Sequence, residues 1–336
     1  MIDYLSLKKI DSKEMHKTYD KWSEIAFKSY KKPVKKIKFE KTSHLVFAGM
    51  GGSGAIGDLF SAILSKTKIH VTVVKGFNLP KTVNRNSIVV ITSVSGNTQE
   101  SISILEKSMK VGSKIIAFSD GGKIKEICEK NKILHINVEK FHSPRASFTA
   151  FVYSMLSILK PILPIKQNEI VESINELEKI GKKIDSTNIS NSNIAIKISE
   201  WIEMTPIIYY PLGLESAAIR FKNSIQENCK MHVIAEDVIE ACHNGVVSWE
   251  RPSNFQPILL RGADDSEKTI QLWNVLKKFF KKNKIEFLEV HSVKGNILTK
   301  LVCLIYLLDY ASIYLSIKYK MDPTPVKAID YIKKNL

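Results

Sequence analysis

The chain has 336 residues, 44% of them hydrophobic and 25% charged, which excludes a disordered chain and leaves room for two domains of about 150 residues. Its formal charge is +16, yet the basic residues are nearly all lysine: arginine stands only at Arg85, Arg145, Arg220, Arg251 and Arg261. A face that reads bases or clamps nucleic-acid phosphates would favour the planar arginine fork, so no nucleic-acid partner is expected, although a diffuse positive field would help to draw in a small anion. No apolar run reaches the ~18–20 residues of a membrane span. The nearest, residues 301–315, is interrupted by Asp309 and reads as a buried helix. The opening MIDYLSLKKIDSKE carries acids and lysines where a signal peptide needs an apolar core, so a cytoplasmic location without a membrane partner is expected. Cys128, Cys229, Cys242 and Cys303 lie far apart, with neither CxxC nor zinc-type spacing, which predicts reduced thiols, no metal and no cofactor.

In chain order, an N-terminal helical segment (1–40) ends in a lysine-rich stretch. HLVFAG at 44–49 is a short apolar strand, 55–66 has helical spacing, and KIHVTVV (68–74) and SIVVIT (87–92) are β-rich strands. An amphipathic helix over 99–110, a strand over 114–118, a short helix over 123–130 and a strand over 133–138 follow. A helical pattern spans 147–162, and another spans 168–184 before the polar run DSTNISNSN (185–193), which reads as a linker. The alternation then returns: strands at 206–210, 231–235, 256–261 and 286–290, helices at 215–230, 266–283 and 298–319, and a last helix after Pro325. Near-continuous apolar strands alternating with helices predict an α/β fold of two halves, each a mostly parallel sheet flanked by helices, with ligands at the carboxyl ends of the strands. The expected division is 41–165 and 195–320, joined by a connecting helix and linker (166–194) and closed by a C-terminal helix (321–336).

Two loops between a strand and a helix suit an anion. The first is Gly49-Met50-Gly51-Gly52-Ser53-Gly54, where glycines allow close backbone approach to a helix N-terminus. It matches GxGxxG, but the second strand ends Val73-Val74-Lys75-Gly76, without the acid that a dinucleotide ribose requires, and no GK[ST] follows for a P-loop. The second is Ser93-Val94-Ser95-Gly96-Asn97-Thr98. Any one of its polar residues could be only a turn or cap residue; together the hydroxyls and free amides suit a phosphate dianion.

GMGGSGAIGD followed by SVSGNTQES resembles the sugar isomerase (SIS) domain. The order of motifs over nearly the whole chain, continuing through Pro144-Arg145-Ala146, Arg220-Phe221-Lys222, Glu227-Asn228-Cys229-Lys230, His243-Asn244 and Asp322-Pro323-Thr324-Pro325, resembles the bifunctional phosphoglucose/phosphomannose isomerases, which carry two such domains. The resemblance implies two SIS-type, flavodoxin-like domains and a metal-independent aldose–ketose isomerase. It would interconvert glucose 6-phosphate, and mannose 6-phosphate, with fructose 6-phosphate through a cis-enediol. It implies phosphate contacts from Gly51, Gly52, Ser53, Ser93, Ser95 and Thr98, a base at Glu227, an acid/base at His243 supplied by the second subunit of a homodimer, a permanent charge at Arg145 and a ring-opening lysine at Lys333, with Lys327 and Lys334 competing for that last role. Thr324 either borders the sugar or caps the final helix. The chain departs from the RWK, ENAK and HNE common in the family, reading RFK, ENCK and HNG; the missing acid falls at Gly245. Two alternatives stay open: another SIS-type sugar-phosphate isomerase, or a non-catalytic module that senses phosphosugars. A transamidase would require a glutaminase domain, for which the N-terminus leaves no room, and a sensor would commonly add a helix-turn-helix, which the sequence does not show.

Overall fold

The computed structural model describes residues 2–33, 37, 39 and 42–335. Helices α1 (Tyr4–Ile10), α2 (Met15–Asp20) and α3 (Trp22–Lys31) open the chain, and the lysine-rich stretch after them falls largely outside the described residues. Then follow β1 (His44–Ala48), α4 (Gly51–Leu64), β2 (His70–Val74), β3 (Ile88–Thr92), α5 (Gln99–Val111), β4 (Lys114–Ser119), α6 (Gly122–Lys130), β5 (Leu134–Asn137) and α7 (Phe148–Leu159). After α8 (Gln167–Ile184) come α9 (Ile194–Trp201), β6 (Thr205–Tyr210), α10 (Glu215–Cys229), β7 (Ile234–Asp237), α11 (Val238–Ala241) and β8 (Phe255–Arg261). The chain closes with α12 (Glu267–Lys282), β9 (Leu288–His291), α13 (Ile297–Lys318) and α14 (Lys327–Lys334).

These elements form two compact units. Lys21–Asn175 make one; the residues up to Asp20 join those from Glu176 onward in the other. The expected 1–40 segment is therefore not one piece. Helices α1 and α2 pack on α13, whereas α3 lies along α7, because the tyrosines of α13 and the apolar face of α7 offer separate partners. Within 166–194, α8 crosses the division at 175/176, and α9 begins at Ile194.

In the unit 21–175 a five-stranded parallel sheet runs β2-β1-β3-β4-β5. Every residue of β1 and β3 is buried, the pattern of strands covered on both faces. One face packs Val46, Val89, Ile91 and Ala117 on Ile102, Leu105 and Ile124 of α5 and α6. On α4, Phe60 stacks on Phe47 at 5.2 Å between ring centroids. Ala48 pairs with both Val74 and Ile91, so β1, β2 and β3 end level. The order reverses between β1 and β3, and the loops after those two strands stand side by side there.

The other unit repeats the order without a fifth strand, β7-β6-β8-β9. Tyr209, Trp249, Trp273 and Phe280 fill one side of its core. Helix α13 is long and apolar enough to cross a membrane, but 89% of its apolar window is buried, and it packs on α9 and α10 as a core helix. Its single acid explains why the run tolerates a charge. Asp309 is fully buried and accepts from Arg220 Nη2 (2.7 Å) and Nε (3.1 Å), Ser224 Oγ (2.6 Å) and Tyr19 Oη (3.2 Å). A buried carboxylate with that many donors costs far less than an isolated one.

Candidate active site

The loop after β1 turns directly into α4. The helix begins at Gly51 rather than at 55, where its apolar spacing starts, because glycine can serve the left-handed turn (φ +52°) that starts it. A β-carbon at Gly54 would meet the Gly49 carbonyl at 2.9 Å, and one at Gly49 would meet Ser53 Cβ at 2.9 Å, so the loop and the first helical turn are in contact along their backbones. The N–H groups of Gly51 and Gly52 are thereby the first two of α4, which a helix leaves unsatisfied. Met50, at the N-cap, offers no side-chain cap.

The loop after β3 is held by the turn before α6. Ile124 and Asp120 N–H donate to the carbonyls of Gly96 and Val94, at 2.9 and 3.0 Å. Gly96 (φ +70°) leaves no room for a side chain, since its β-carbon would stand 1.8 Å from the Gly121 carbonyl. Asn97, one of the loop's polar residues, turns to α6 and accepts from Lys123 N–H at 3.0 Å. Thr98 occupies the N-cap of α5 but does not cap it; its hydroxyl instead meets Ser93 Oγ at 2.8 Å. Ser95 Oγ accepts from Asn97 N–H at 3.3 Å. Two helices thus start at the β1/β3 switch point, neither capped by its own side chain, with Ser93 and Thr98 hydroxyls within reach of each other. Open N–H groups, positive helix ends and neutral hydroxyls are the kind of groups that suit an anion of high charge density. Beside it, Lys75 pairs with Asp58 at 2.6 Å, and burial nevertheless keeps the Asp58 carboxyl above its usual range.

Arg145, on the turn before α7, is buried. The turn is fixed by Ser147, whose hydroxyl donates toward the Phe141 and Ser143 carbonyls (2.9 Å each) and accepts from Phe141 N–H (2.9 Å). Trp22 Nε1 donates to the Ala146 carbonyl at 3.0 Å while its ring stacks on Phe148. Nothing in the sequence marks Trp22 for this task, because the partner is 124 residues away.

The remaining expected residues lie in the other unit. Glu227 is half-buried in the last turns of α10, the helix braced by Arg220 and Ser224 on Asp309. His243 follows α11, its N–H donating to the Glu240 carbonyl at 2.9 Å. Gly245 has a steric reason: a β-carbon there would meet both Glu236 carboxylate oxygens at 2.8 Å. Burial, then Glu240 and Asp237, raise the Glu236 carboxyl above its ordinary range; burial also raises the Cys242 thiol, away from reactivity. Thr324 does not cap α14, whose N-cap is Val326; its N–H donates to Asp322 Oδ1 at 2.9 Å. Lys327 stands in the first turn of α14 and Lys333 and Lys334 in the last, all exposed, so all three remain candidates.

A SIS domain model matches residues 38–160, and a model described as the bacterial phospho-glucose isomerase C-terminal SIS domain matches 191–336. A bifunctional phosphoglucose/phosphomannose isomerase of Caldicellulosiruptor bescii is 31% identical over 89% of this chain and 91% of its own. The chain belongs to the bifunctional phosphoglucose/phosphomannose isomerase family. A second member of the family, from Aquifex aeolicus, is 29% identical over 87% of this chain and 90% of its own. The fold is shared with the C-terminal domain of glucosamine-fructose-6-phosphate aminotransferase from Francisella tularensis, with a TM-score of 0.68 over 90% of this chain and 95% of that one, at 17% identity. Membership of an isomerase family makes the two motif-bearing loops after β1 and β3 part of an enzyme. Among the described residues no group of three His, Cys, Asp or Glu could hold a metal ion.

Proposed function

We propose that the protein interconverts the 6-phosphates of glucose and fructose, and of mannose and fructose, by proton transfer through a cis-enediol. The observation that carries the reading is the pair of uncapped helix N-termini at the β1/β3 switch point, with Ser93 and Thr98 facing each other at 2.8 Å, in a member of this isomerase family. The phosphate is held by the N–H groups of Gly51 and Gly52 and the hydroxyls of Ser53, Ser93, Ser95 and Thr98. Neutral donors grip a dianion and still release it, as turnover requires.

The chemistry falls to other residues. After His243 and Lys333 move the proton between the anomeric hydroxyl and the ring oxygen, the sugar is open. The Glu227 carboxylate takes the proton from carbon 2 and returns it to carbon 1, while the hydroxyl proton on oxygen 2 passes to oxygen 1, so that aldose becomes ketose without gain or loss of atoms. The Arg145 guanidinium, charged at every working pH, stabilises the enediolate oxygens. Rotation about the bond between carbons 2 and 3 of the enediol lets one base serve both epimers. His243 comes from a second copy of the chain, which makes the working form a homodimer.

Purified protein in EDTA should convert fructose 6-phosphate to glucose 6-phosphate, and in a coupled assay should also consume mannose 6-phosphate. Glu227→Gln should lower kcat by at least about a thousandfold while a phosphosugar still binds, in keeping with loss of a base that acts in the transition state. Absence of turnover on all three hexose phosphates, or a fully active Glu227→Gln enzyme, would refute the reading.

A further inference from the structure

We propose that Lys230 is a positioning residue for this reaction: its ammonium fixes the end of the helix that carries Glu227 to the turn from which the C-terminal helix starts. The proposal rests on the reading of Glu227 as the base and of a lysine of α14 as the ring-opening group.

The residue stands where α10 ends, and its backbone is left-handed, φ +56° and ψ +34°. Helices commonly end on such a residue, but it is usually glycine, because a β-carbon crowds the following carbonyl in this conformation. A lysine held there is a local cost that the surroundings must outweigh. They do so through three carbonyls. Lys230 Nζ donates to Glu227 O at 2.9 Å, to Asn228 O at 3.1 Å and to Asp322 O at 2.7 Å. Glu227 O and Asn228 O belong to the last turn of α10, where a helix leaves carbonyls unsatisfied and carries partial negative charge. Three short bonds use all three protons of an ammonium.

The third partner gives the arrangement its consequence. Asp322 lies 92 residues further along the chain and opens the turn Asp322-Pro323-Thr324-Pro325, after which α14 begins at Lys327. The two prolines fix φ, so pinning Asp322 sets the direction in which α14 leaves. Asp322 is itself secured: its Oδ1 accepts from Thr324 N–H at 2.9 Å and its Oδ2 from Ser12 Oγ at 2.6 Å. On the other side, Asn228 Nδ2 donates to Ser312 Oγ (2.8 Å) and Cys229 Sγ to the Ser312 carbonyl (3.1 Å), tying the same end of α10 to α13. Helix packing already secures α10; what Lys230 adds is the link from the backbone of Glu227 to the launch point of α14. A displacement of about 1 Å at a reacting group costs on the order of a hundredfold in rate, so such a link matters for turnover more than for stability.

The left-handed backbone provides the test. Glycine and asparagine both favour this conformation, so Lys230→Gly and Lys230→Asn remove the ammonium while relieving the backbone. Each variant should melt within about 2 °C of the wild type or above it, lower kcat at least tenfold, and leave the inhibition constant of glucitol 6-phosphate, held through its phosphate, within about twofold. Wild-type kcat in either variant would overturn the proposal. So would a loss of activity that tracks a lower melting temperature in both, since Lys230 would then hold the fold rather than the site. A wild-type protein without isomerase activity would instead strike the underlying functional reading, which separates the two failures.

Discussion

The two sheets share one strand order, and the loops after the equivalent strands β3 and β8 are finished in opposite ways, although α10, after β6, also starts without a side-chain cap. After β1 and β3, the helix starts lack side-chain caps, and the Ser93 and Thr98 hydroxyls turn to each other instead. After β8, the chain closes the corresponding loop with its own acid. Asp265 accepts from Gly262 N–H at 3.0 Å, from Trp273 Nε1 at 3.1 Å and from Arg261 Nε at 3.4 Å, and Ser266 caps α12 by accepting from Thr269 N–H. A β-carbon on Gly262 would lie 2.3 Å from the Asp265 carboxylate, so that acid fills the space above the loop. An internal carboxylate stands where an external anion could be held. On the proposed function, one topology serves as a binding edge or a structural edge depending on whether the loop brings its own negative charge.

Exchanging the two finishes should have the largest effect. Thr98→Asp places a carboxylate at an N-cap position whose backbone is already extended, so it should cap α5 and keep or raise the melting temperature. The same charge would repel a phosphate by about 4 kcal/mol at 4 Å in an effective dielectric near 20, so KM for fructose 6-phosphate should rise by about a hundredfold or more. Steady-state kinetics beside a thermal melt checks both halves. The converse change is smaller. Asp265→Asn removes the charge opposite Arg261 and turns a donor toward Trp273, and should destabilise by about 1–3 kcal/mol in chemical denaturation while kcat and KM stay put.

The smallest effect is electrostatic. In the first unit, burial and the neighbouring His70 lower the His44 pKa below its ordinary 6.5, and burial lowers that of His135. A depressed histidine favours the fold above about pH 6.5, and that contribution is lost as pH falls below 6.5 through the folded pKa. In the second, the raised Glu236 favours the fold below about pH 4.5 and that contribution is lost as pH rises. Acidification from pH 7 to 5 should therefore remove the contribution of these two histidines to the first unit. His44→Gln, which can still meet Ser87 and Thr72, should show a shallower fall in melting temperature over that range.

Much of the first unit was legible in the chain. The short β-branched run Ile88–Thr92 reads as a covered strand, and the hydroxyl-rich loop after it was identifiable from its residue types. The start of α4 was not, because Gly51, Gly52 and Gly54 are poor helix formers; Gly51 serves the left-handed turn and Gly54 the close packing on Gly49 and Lys75. The strand expected at 231–235 lies at Ile234–Asp237, since its acids Glu236 and Asp237 read as loop. Least legible were the non-local ties. The union of α1 and α2 with α13 depends on Tyr306 Oη donating to the Tyr19 carbonyl at 2.6 Å across 287 residues, and Lys230 depends on a carbonyl 92 residues away. Local pattern carries neither.

On the proposed function, one switch point, and not its counterpart, takes the substrate's phosphate. Calorimetric titration of the chain with glucose 6-phosphate tests it most directly. One site per chain is expected in the wild type, one in Asp265→Asn, and none in a folded Thr98→Asp. Two sites per chain, or binding that survives Thr98→Asp unchanged, would contradict it.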